Sequence, residues 1–412
     1  MALNIVWVLF FVIALLVALV KSIFFGDTTI FKTLADGIFD AAKTSVTDVA
    51  FPLAGTMIFF LGLMNIAEKA GAIQKLAKWL NPFMKRLFPG VPENHPAMGE
   101  MVMNFSANML GLDNAATPFG LKAMQSLQTL NPDKETASNA QIMFLALHTS
   151  GLTIIPLTII TYRLGAGSQQ AASIFIPCVL ATFVTTIISI IMMSIKQKIK
   201  WDFVLFGWMT AISAFVVSLL YFVETLSEEQ RSNFSNNGGS LLLLLIIVAI
   251  ILAGVYKKIS VFDAFIEGAK NGFDVVLKII PYLVGMLVAI RVLRDSGALG
   301  YVTDSIAYIV QLMGLNTDFV PSLPVAIMKP FSGGGARGLM LDIFKNPAYG
   351  PDSFVGKLSS IFQGSADTTF YIISLYFGSV GIKKVRYAVW VGLLADTLGV
   401  IAAIFIGYKF FH

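Results

Sequence analysis

The chain has 412 residues, of which 56% are apolar and 13% are charged, whereas charged residues make up about 25% of an average soluble protein. This composition excludes an ordinary soluble enzyme, and apolar runs of about 20 residues recur along the chain, so we expect an integral membrane protein. The net charge of +5 indicates contact with lipid headgroups and no nucleic-acid partner, because no basic cluster alternates with aromatic residues.

In chain order, nine segments are predicted to span the bilayer. They are Leu3 to Phe24, Val49 to Ala67, Asn139 to Tyr162, Ala171 to Ile195, Phe203 to Val223, Leu241 to Tyr256, Val275 to Leu293, Leu358 to Phe377 and Ala388 to Tyr408. The basic amphipathic segment Ile73 to Phe88 suits a helix at the membrane interface. Gly, Pro, Asn and charge interrupt Ala97 to Leu130 and Val320 to Phe344, so we expect re-entrant or broken helical hairpins there. The predicted fold class is an all-α, polytopic membrane helix bundle.

The most polar stretch, Glu224 to Gly239, separates two apolar spans and is the best domain boundary. Lysine clusters flank this pair of spans, at 196, 198 and 200 before it and at 257 and 258 after it. The positive-inside rule places both clusters in the cytoplasm and the acidic loop outside. We therefore predict two halves, 1–200 and 259–412, joined by transmembrane segments in 201–258.

The two halves show an internal repeat. Phe31 to Ile73 resembles Phe262 to Leu299, and Lys-Ala-Gly at 69–71 aligns with Asp-Ser-Gly at 295–297. Later, His-Thr-Ser-Gly-Leu-Thr at 148–153 aligns with Gln-Gly-Ser-Ala-Asp-Thr at 363–368. Identities are few but the order of element types is the same, which indicates a duplication with a preference for inverted repeats.

Polar groups at membrane depth are costly, so they are the candidate site residues. In the first half, Asn104 and Asn108 are four residues apart and share a helix face. They precede Gly-Leu-Asp-Asn-Ala-Ala-Thr-Pro at 111–118, where Gly and Pro would break the helix and free carbonyl groups for a cation or a polar solute. The polar residues beside that break are Asp113, Asn114 and Thr117. The alternative is a helix-connecting turn in which Asp113 caps the next helix.

The matching segment of the second half is Lys-Pro-Phe-Ser-Gly-Gly-Gly-Ala-Arg-Gly at 329–338. It fits G-x-G-x-x-G literally, but no strand precedes it, so a dinucleotide site is not expected. An unwound backbone there would let N–H groups, with Lys329 and Arg337, face an anionic or hydrogen-bonding solute. The alternative is a flexible elbow with both cations snorkelling outward.

A third polar set opens two predicted spans at corresponding places. Its members are His148, Thr149, Ser150 and Thr153 in one half and Gln363, Ser365, Asp367, Thr368 and Thr369 in the other. Gln363 and Asp367 are four residues apart, as are Ser365 and Thr369, so each helix would present a polar stripe to the interior.

The charged members of this set have two interpretations each. Asp367 needs a cation or proton at membrane depth, and the alternative is an ion pair with Arg337 that only locks the bundle. Asp396, within the last predicted span, has the same two interpretations: it binds a cation or proton, or it forms an ion pair that only locks the bundle. His148 is either a proton relay or a hydrogen-bonded packing histidine.

No catalytic residue, cofactor or metal site is predicted. The sequence contains no H-E-x-x-H, G-x-S-x-G or P-loop motif. With one cysteine, Cys178, and histidines only at 95, 148 and 412, zinc chemistry is not expected. We therefore expect a protein that is not an enzyme.

Several long motifs carry a resemblance to a known family. In the first half they are His-Pro-Ala-Met-Gly at 95–99, Asn-Met-Leu-Gly-Leu-Asp-Asn-Ala-Ala-Thr-Pro at 108–118 and Leu-Lys-Ala-Met at 121–124. In the second half they are Ile-Pro-Tyr-Leu-Val-Gly-Met-Leu-Val-Ala at 280–289, Tyr-Gly-Pro-Asp-Ser-Phe at 349–354, Gln-Gly-Ser-Ala-Asp-Thr-Thr at 363–369, Tyr-Phe-Gly at 376–378 and Gly-Ile-Lys-Lys at 381–384. The halves resemble the A and B branches of the spore maturation proteins, within the nucleoside-recognition, or gate, domain family. That family includes segments of nucleoside transporters and ferrous iron permeases.

The resemblance implies two gate-domain repeats in a multi-pass protein of the bacterial cytoplasmic (inner) membrane. Two departures stand out, because here both halves form one polypeptide and the run at 333–337 is richer in Gly and charge than the family pattern. The leading hypothesis is a secondary transporter whose repeats enclose a midplane site for a small polar solute, nucleoside-like by family analogy. The alternative is a non-transporting envelope or spore-maturation factor that scaffolds or gates a partner.

In the transporter hypothesis each candidate residue has a role. The solute would contact Asn104, Asn108, Asn114, Thr117, His148, Ser150, Arg337, Gln363, Ser365, Thr368 and Thr369. The coupling H⁺ or Na⁺ would bind Asp113, Asp367 or Asp396. The other expected partners of the protein are the lipid bilayer and, where the protein self-associates, a second copy in a homo-oligomer.

Overall fold

The computed structural model describes residues 2–92, 94–111 and 113–412, apart from the side chains at 2–6, 52, 53, 113–115, 228, 232, 271, 272, 274–276, 278, 279 and 282. In that part of the chain all regular structure is helical, except for one isolated β-bridge between Thr136 and Lys384. The helices are α1 Ala2–Phe25, α2 Ile30–Thr44, α3 Phe51–Lys69, α4 Ala72–Leu87, α5 Pro96–Met109, α6 Asp113–Leu130, α7 Asn139–Thr149, α8 Leu157–Gly165, α9 Phe175–Gln197, α10 Phe203–Thr225, α11 Glu228–Asn233, α12 Gly239–Tyr256, α13 Val261–Asp295, α14 Ala298–Leu312, α15 Leu323–Met328, α16 Gly333–Lys345, α17 Phe354–Gly364, α18 Thr369–Ser379 and α19 Ala388–Phe411. The all-α prediction is confirmed.

Within the described part of the chain, fewer helices than predicted can cross a bilayer unbroken, and several side chains of the predicted span Val275 to Leu293 lie outside that part. Among the described residues, five helices are long and apolar enough: Trp7–Phe25, Ala171–Gln197, Phe203–Thr225, Glu229–Tyr256 and Ala388–Phe411. A bent pair, Ile30–Ala50 with Ala54–Lys69, would make six. These helices make the chain a multi-pass membrane protein.

Two spans that we predicted as continuous are wrong, because each is divided near its middle. The segment Asn139 to Tyr162 is split into α7 and α8 by residues 150–156. Gly151, at φ +61°, and Pro156 both disfavour a continuous helix there. The segment Leu358 to Phe377 is split into α17 and α18 by residues 365–368.

The predicted polar loop is also shorter than expected. Helix resumes at Glu228 and continues through a π-helical turn, Phe234–Gly238, into α12. Ser227 begins this helix with a capping box, in which its side chain accepts from Gln230 N and the Gln230 side chain bonds the Ser227 amide. The loop prediction missed this helix start because Asn and Gly fill the next two turns.

The order of elements confirms two repeats. Each repeat runs from a long helix through a left-handed glycine, Gly71 (φ +80°) or Gly297 (φ +87°), into a shorter helix. A helical hairpin, a broken helix and a final long helix follow in both repeats. The first repeat therefore uses α3 to α9 and the second uses α13 to α19.

The chain forms two compact units, each discontinuous in sequence. The first unit comprises Met1–Leu61, Thr161–Ala171 and Ala269–Gln363. The second comprises Gly62–Ile160, Ala172–Gly268 and Gly364–His412. Each unit thus combines the hairpin of one repeat with later segments of the other.

In the second unit, α5 and α6 form a hairpin, and α4, α7 and α18 pack around it. Helices α9 and α19 pack along each other at close range, since a methyl group at Gly399 would lie 2.7 Å from Thr185 Oγ1. Small residues permit such close contact between membrane helices. One apolar core runs through this unit from Ala77 to Val391.

In the first unit, α1 packs on α2, and α15 and α16 form the second hairpin. Residues Ala14, Ala18, Ile30, Leu34 and Val292 make a small apolar core there. The first unit also holds most of the ion pairs that involve partly buried carboxylates.

Candidate functional site

Three non-helical segments meet inside the second unit. The turn of the α5–α6 hairpin contacts the break after α7, where Ile154 N donates to Met109 O at 2.8 Å. That break in turn contacts the break before α18, where Asp367 N donates to Thr149 O at 2.8 Å. Gly151 permits this close approach of the two breaks, because a Cβ atom there would lie only 3.1 Å from Asp367 N. Irregular backbone at membrane depth is tolerated where it packs in protein or lines a polar cavity.

A buried histidine lies at this meeting point. His148, in the last turn of α7, is 5% exposed. Its Nδ1 lies 2.9 Å from Asn108 Nδ2 and 3.0 Å from Asn104 Oδ1. Asn108 can donate to a bare Nδ1 and Asn104 can accept from a protonated one, so either tautomer has a partner. The His148 ring can therefore gain or lose a proton at Nδ1 and still have a hydrogen-bond partner there.

The other ring nitrogen of His148 faces a carboxylate. Nε2 lies 3.6 Å from Asp367 Oδ2, which is too long for a hydrogen bond. Asp367 lies two residues before Thr369, the first residue of α18, and its Oδ1 accepts from Thr368 N at 2.6 Å. The carboxylate therefore lies at the positive end of α18, and the imidazole at the negative end of α7. The two groups can exchange a proton through a small movement or an intervening polar molecule.

Tyr376, on α18, completes this group, which we call the polar junction: Asn104, Asn108, His148, Asp367 and Tyr376. The Tyr376 ring is fully buried and meets the His148 ring edge-on at 5.0 Å. Its hydroxyl lies against Gly120 and beside the Asn104 side chain, whose amide already donates to Ala116 O. A buried hydroxyl with so little hydrogen bonding is suited to a polar ligand.

Other predicted residues serve to hold the junction together. Ser150 Oγ accepts from Thr186 Oγ1 of α9 at 3.0 Å. Thr369 Oγ1 donates to Asp396 Oδ2 of α19 at 2.7 Å, and both residues are buried. Hence Ser150, Thr369 and Asp396 tie the broken segments to the two long helices α9 and α19. Ser365 and Thr368 are buried beside them.

The first-half break is shorter than predicted. The chain is helical again from Asp113, and Pro118 lies inside α6. Asp113 and Asn114 start α6, but their side chains lie outside the described residues, and Thr117 is half-buried. Asn104 ties the hairpin together, since its Nδ2 donates to Ala116 O at 2.7 Å.

The predicted helical stripes are wrong, because their residues fall on either side of a break. Gln363 lies in α17 and Asp367 lies beyond its end, so their four-residue spacing is not helical. The same break separates Ser365 from Thr369. His148 and Thr149 end α7, and Ser150 and Thr153 follow in the non-helical segment.

Gln363 occupies in the first unit the place that His148 has in the second. Its Nε2 donates to Gly333 O at 3.2 Å, and Lys329 Nζ donates to its carbonyl at 2.7 Å. Each of the two aligned residues thus contacts the hairpin of its own repeat. Arg337 lies with its guanidinium carbon 4.8 Å from the centre of the Tyr162 ring.

The glycine run is not unwound as predicted. Gly333–Gly335 form the first turn of α16, capped by Ser332 Oγ, which accepts from Gly335 N at 2.9 Å. The small residues serve packing, because a methyl group at Gly338 would lie 3.1 Å from Ile290. The non-helical part is the preceding stretch, 329–332.

Sequence reasoning missed a buried arginine in the first unit. Arg163 is 0% exposed and pairs with Asp352 at 2.8 Å. Its guanidinium also donates to Pro351 O at 2.6 Å and to Ala171 O at 3.2 Å. This clamp joins the loop after α8 to the loop before α17. The signal was present, since Arg163 directly follows a predicted span and Asp352 lies in a Gly-Pro-Asp turn.

It also missed the ion pairs around α13. Arg291 contacts Asp40 at 3.2 Å and Asp295 at 2.5 Å, and Arg294 pairs with Asp342. Arg291 lies inside a predicted span, where a charge indicates a functional or paired site. Within the described residues, no three His, Cys, Asp or Glu side chains are grouped so as to hold a metal ion.

Comparison with known proteins adds the family. The family model Gate, described as nucleoside recognition, matches residues 50–166 and 276–383. Spore maturation protein B of Bacillus subtilis is 48% identical over 157 residues, which cover 38% of this chain and 85% of that protein. Spore maturation protein A of the same organism is 39% identical over 188 residues, which cover 46% of this chain and 92% of that protein. No solved structure matches the chain.

Proposed function

The chain belongs to the Gate, or nucleoside-recognition, family of membrane proteins, and on that premise we propose that it is an ion-coupled secondary transporter of a small polar solute. The first candidate solute is a nucleoside-like metabolite, by the description of the family. The first candidate location is the bacterial cytoplasmic membrane. We infer that the chain performs no covalent chemistry on its solute.

One observation carries the proposal. Two broken helices contact each other at their breaks in the second unit, and this contact brings His148 to 3.6 Å from Asp367. Broken helices with polar groups at opposing half-helix ends are the usual solute and ion sites of secondary transporters. The two ionisable groups, one supported in either protonation state, are suited to coupling by protons.

Within this proposal the residues have distinct roles. Asp367 and His148 carry the coupling proton, and Asn104, Asn108 and Tyr376 hydrogen-bond the solute. In the first unit, Gln363 and Arg337 stay candidate solute contacts. Asp396 supports Thr369 and is proposed as a second ionisable position, and Asp113, Asn114 and Thr117 stay candidate contacts at the hairpin.

Uptake by the purified full chain in liposomes tests the proposal. Labelled uridine and adenosine are offered with an inward proton gradient, with a sodium gradient, or with neither. We expect accumulation that depends on the proton gradient and that Asp367→Asn reduces at least tenfold. Glu229→Gln, an equivalent change at an exposed carboxylate, is the matched control and should leave uptake unchanged.

The second candidate, a membrane factor that scaffolds or gates a partner, is supported by the names of the two relatives, both called spore maturation proteins. The two candidates differ in how they respond to the same variant. If wild-type protein moves neither nucleoside under any gradient, and Asp367→Asn restores the phenotype of cells that lack the chain, transport is contradicted and the scaffold is favoured.

A further inference from the structure

The first unit contains a cavity of about 470 Å³. Its size falls in the range of small-molecule sites, about 300–1,000 Å³. Segments of four elements line it: α2 with the π-helical turn Ser45–Ala50, the end of α8 with its loop, α13 and α16. No residue of the polar junction lines it. π-Helical turns are frequent at functional sites.

Charges of both signs face this cavity. Asp40, Thr44 and Asp48 follow each other at four-residue steps along α2 and the π turn. Opposite them lie Arg291 of α13 and Lys345 at the end of α16. We call this group, with Tyr162 and Phe344, the charged cavity.

The two acid–base pairs of the charged cavity differ in the distance between their charged atoms. Arg291 contacts Asp40 at 3.2 Å and is held by Asp295 at 2.5 Å. Lys345 Nζ lies 4.0 Å from Asp48 Oδ2, and Asp48 is 57% exposed. Lys345 also donates to Thr44 O at 3.2 Å. An ammonium group has three donors and a carboxylate several acceptor sites, so both groups keep capacity for a ligand.

Two aromatic rings form a fixed apolar wall. The Tyr162 ring lies 4.8 Å from the Arg337 guanidinium, and the Phe344 ring lies 6.0 Å from that of Arg163. Both rings are buried. Such cation–π contacts hold ring positions, so the wall is rigid and needs little ordering when a ligand binds.

We propose that the charged cavity binds a small zwitterion, with one ammonium group and one anionic oxygen group a few bonds apart. The ammonium group contacts Asp48 and Asp40, the anionic group contacts Lys345, and the apolar part lies against Phe344 and Tyr162. A ligand with one charge only leaves the opposite cavity group without a new partner. Free amino acids have this chemistry, and so does the phosphoethanolamine headgroup of a lipid.

Equilibrium binding to the purified full chain in detergent tests the proposal. The probes are L-phenylalanine, its single-charge analogues phenethylamine and 3-phenylpropanoate, and glycerophosphoethanolamine. We expect a zwitterion to bind several-fold more tightly than the single-charge analogues, since each analogue loses one charged contact at a partly exposed group. Tighter binding of L-phenylalanine supports a solute site, and tighter binding of glycerophosphoethanolamine supports a lipid-headgroup site.

Variants inside and outside the cavity test where the zwitterion binds. Lys345→Met and Asp48→Asn should each weaken the binding of the zwitterion several-fold. Lys32→Met and Asp36→Asn change exposed positions of α2 that do not line the cavity, and they should bind like wild type. The proposal is overturned if no zwitterion binds, if single-charge analogues bind equally well, or if cavity and control variants respond alike.

Discussion

His148 and Asp367 face each other at 3.6 Å, but only the histidine is buried, at 5% exposed against 44% for the aspartate. His148→Leu removes the partner of Asn104 and Asn108 in the interior, and we expect a loss of about 1–3 kcal/mol of stability. Asp367→Asn keeps an acceptor for Thr368 N and should cost less than about 1 kcal/mol. Thermal unfolding of the full chain in detergent measures both, with His412→Leu at the exposed terminus as control. Equal losses for both variants would contradict this asymmetry.

The hydroxyl of Tyr376 is expected to serve binding and not folding. It makes only a weak contact with Asn104, so Tyr376→Phe should change stability by less than about 0.5 kcal/mol. The same variant should weaken the binding of the transported solute several-fold, as judged by the concentration that half-saturates uptake. A large loss of stability with unchanged uptake would show that the hydroxyl is structural.

Gly151 is predicted to resist substitution. It adopts φ +61°, and a Cβ atom would lie 3.1 Å from Asp367 N. The left-handed conformation costs a residue with a side chain about 1–2 kcal/mol, and the close contact adds to this. Gly151→Ala should therefore lower the unfolding temperature clearly. Gly378→Ala in α18, where no atom lies within 4 Å of the added methyl, is the control and should be neutral or stabilising.

Arg163 is expected to be the most costly charge to remove. Arg163→Met removes the buried cation that pairs with Asp352 and the donor to Pro351 O and Ala171 O, and we expect a loss of about 3 kcal/mol. Lys383, 72% exposed, pairs with Glu135 at 2.6 Å, and Lys383→Met should cost less than about 1 kcal/mol. Unfolding temperatures of the two variants compare them directly. If Arg163→Met and Lys383→Met unfold at the same temperature, the clamp does not stabilise the loops it joins.

Asp202 should make stability depend on acid pH. Its Oδ1 accepts from Leu205 N in the first turn of α10, and its Oδ2 accepts from Arg86. The hydrogen bond from Leu205, followed by that from Arg86, lowers the pKa of the Asp202 carboxyl from its ordinary value of 3.8. Because the folded pKa lies below the unfolded one, this stabilisation is present at neutral pH and is lost as the pH falls through the folded pKa.

Asp202→Asn separates this effect from helix capping, because Asn caps a helix well but does not titrate. The wild type should unfold at a higher temperature than Asp202→Asn at pH 7, and the difference should shrink below about pH 4. A difference that stays constant through the acid range would contradict the assignment.

Sequence patterns predicted the helical membrane fold and its repeat because those depend on apolar periodicity and on a few backbone-breaking residues. Gly71 and Gly297 were aligned from short motifs, and both adopt the left-handed conformation that such motifs require. The hairpins were also predicted correctly, since Gly, Pro and Asn interrupt otherwise apolar segments.

The position of the helix breaks could not be predicted in the same way. Residues 365–368 contain no proline, and the break there is stabilised by contacts distant in sequence, such as Asp367 N with Thr149 O. Hydropathy is averaged along a whole segment and does not detect such a short break, so the segment was predicted as one span. His148 and Asp367 were predicted as members of one polar set on two separate spans, but their direct contact depends on this long-range pairing and was not predicted. Tyr376, an ordinary aromatic residue in an apolar helix, was not predicted as a site residue.

The combination of both repeats in each unit has a consequence for biosynthesis. The second unit needs α5 to α7 from early in the chain and α18 and α19 from its end. At translation speeds of about 5–20 residues per second, His148 leaves the ribosome roughly ten to forty seconds before Asp367 does. During that interval His148 already contacts Asn104 and Asn108 but still lacks Asp367 and Tyr376. The polar junction is therefore completed only when α18 is made, close to the end of synthesis.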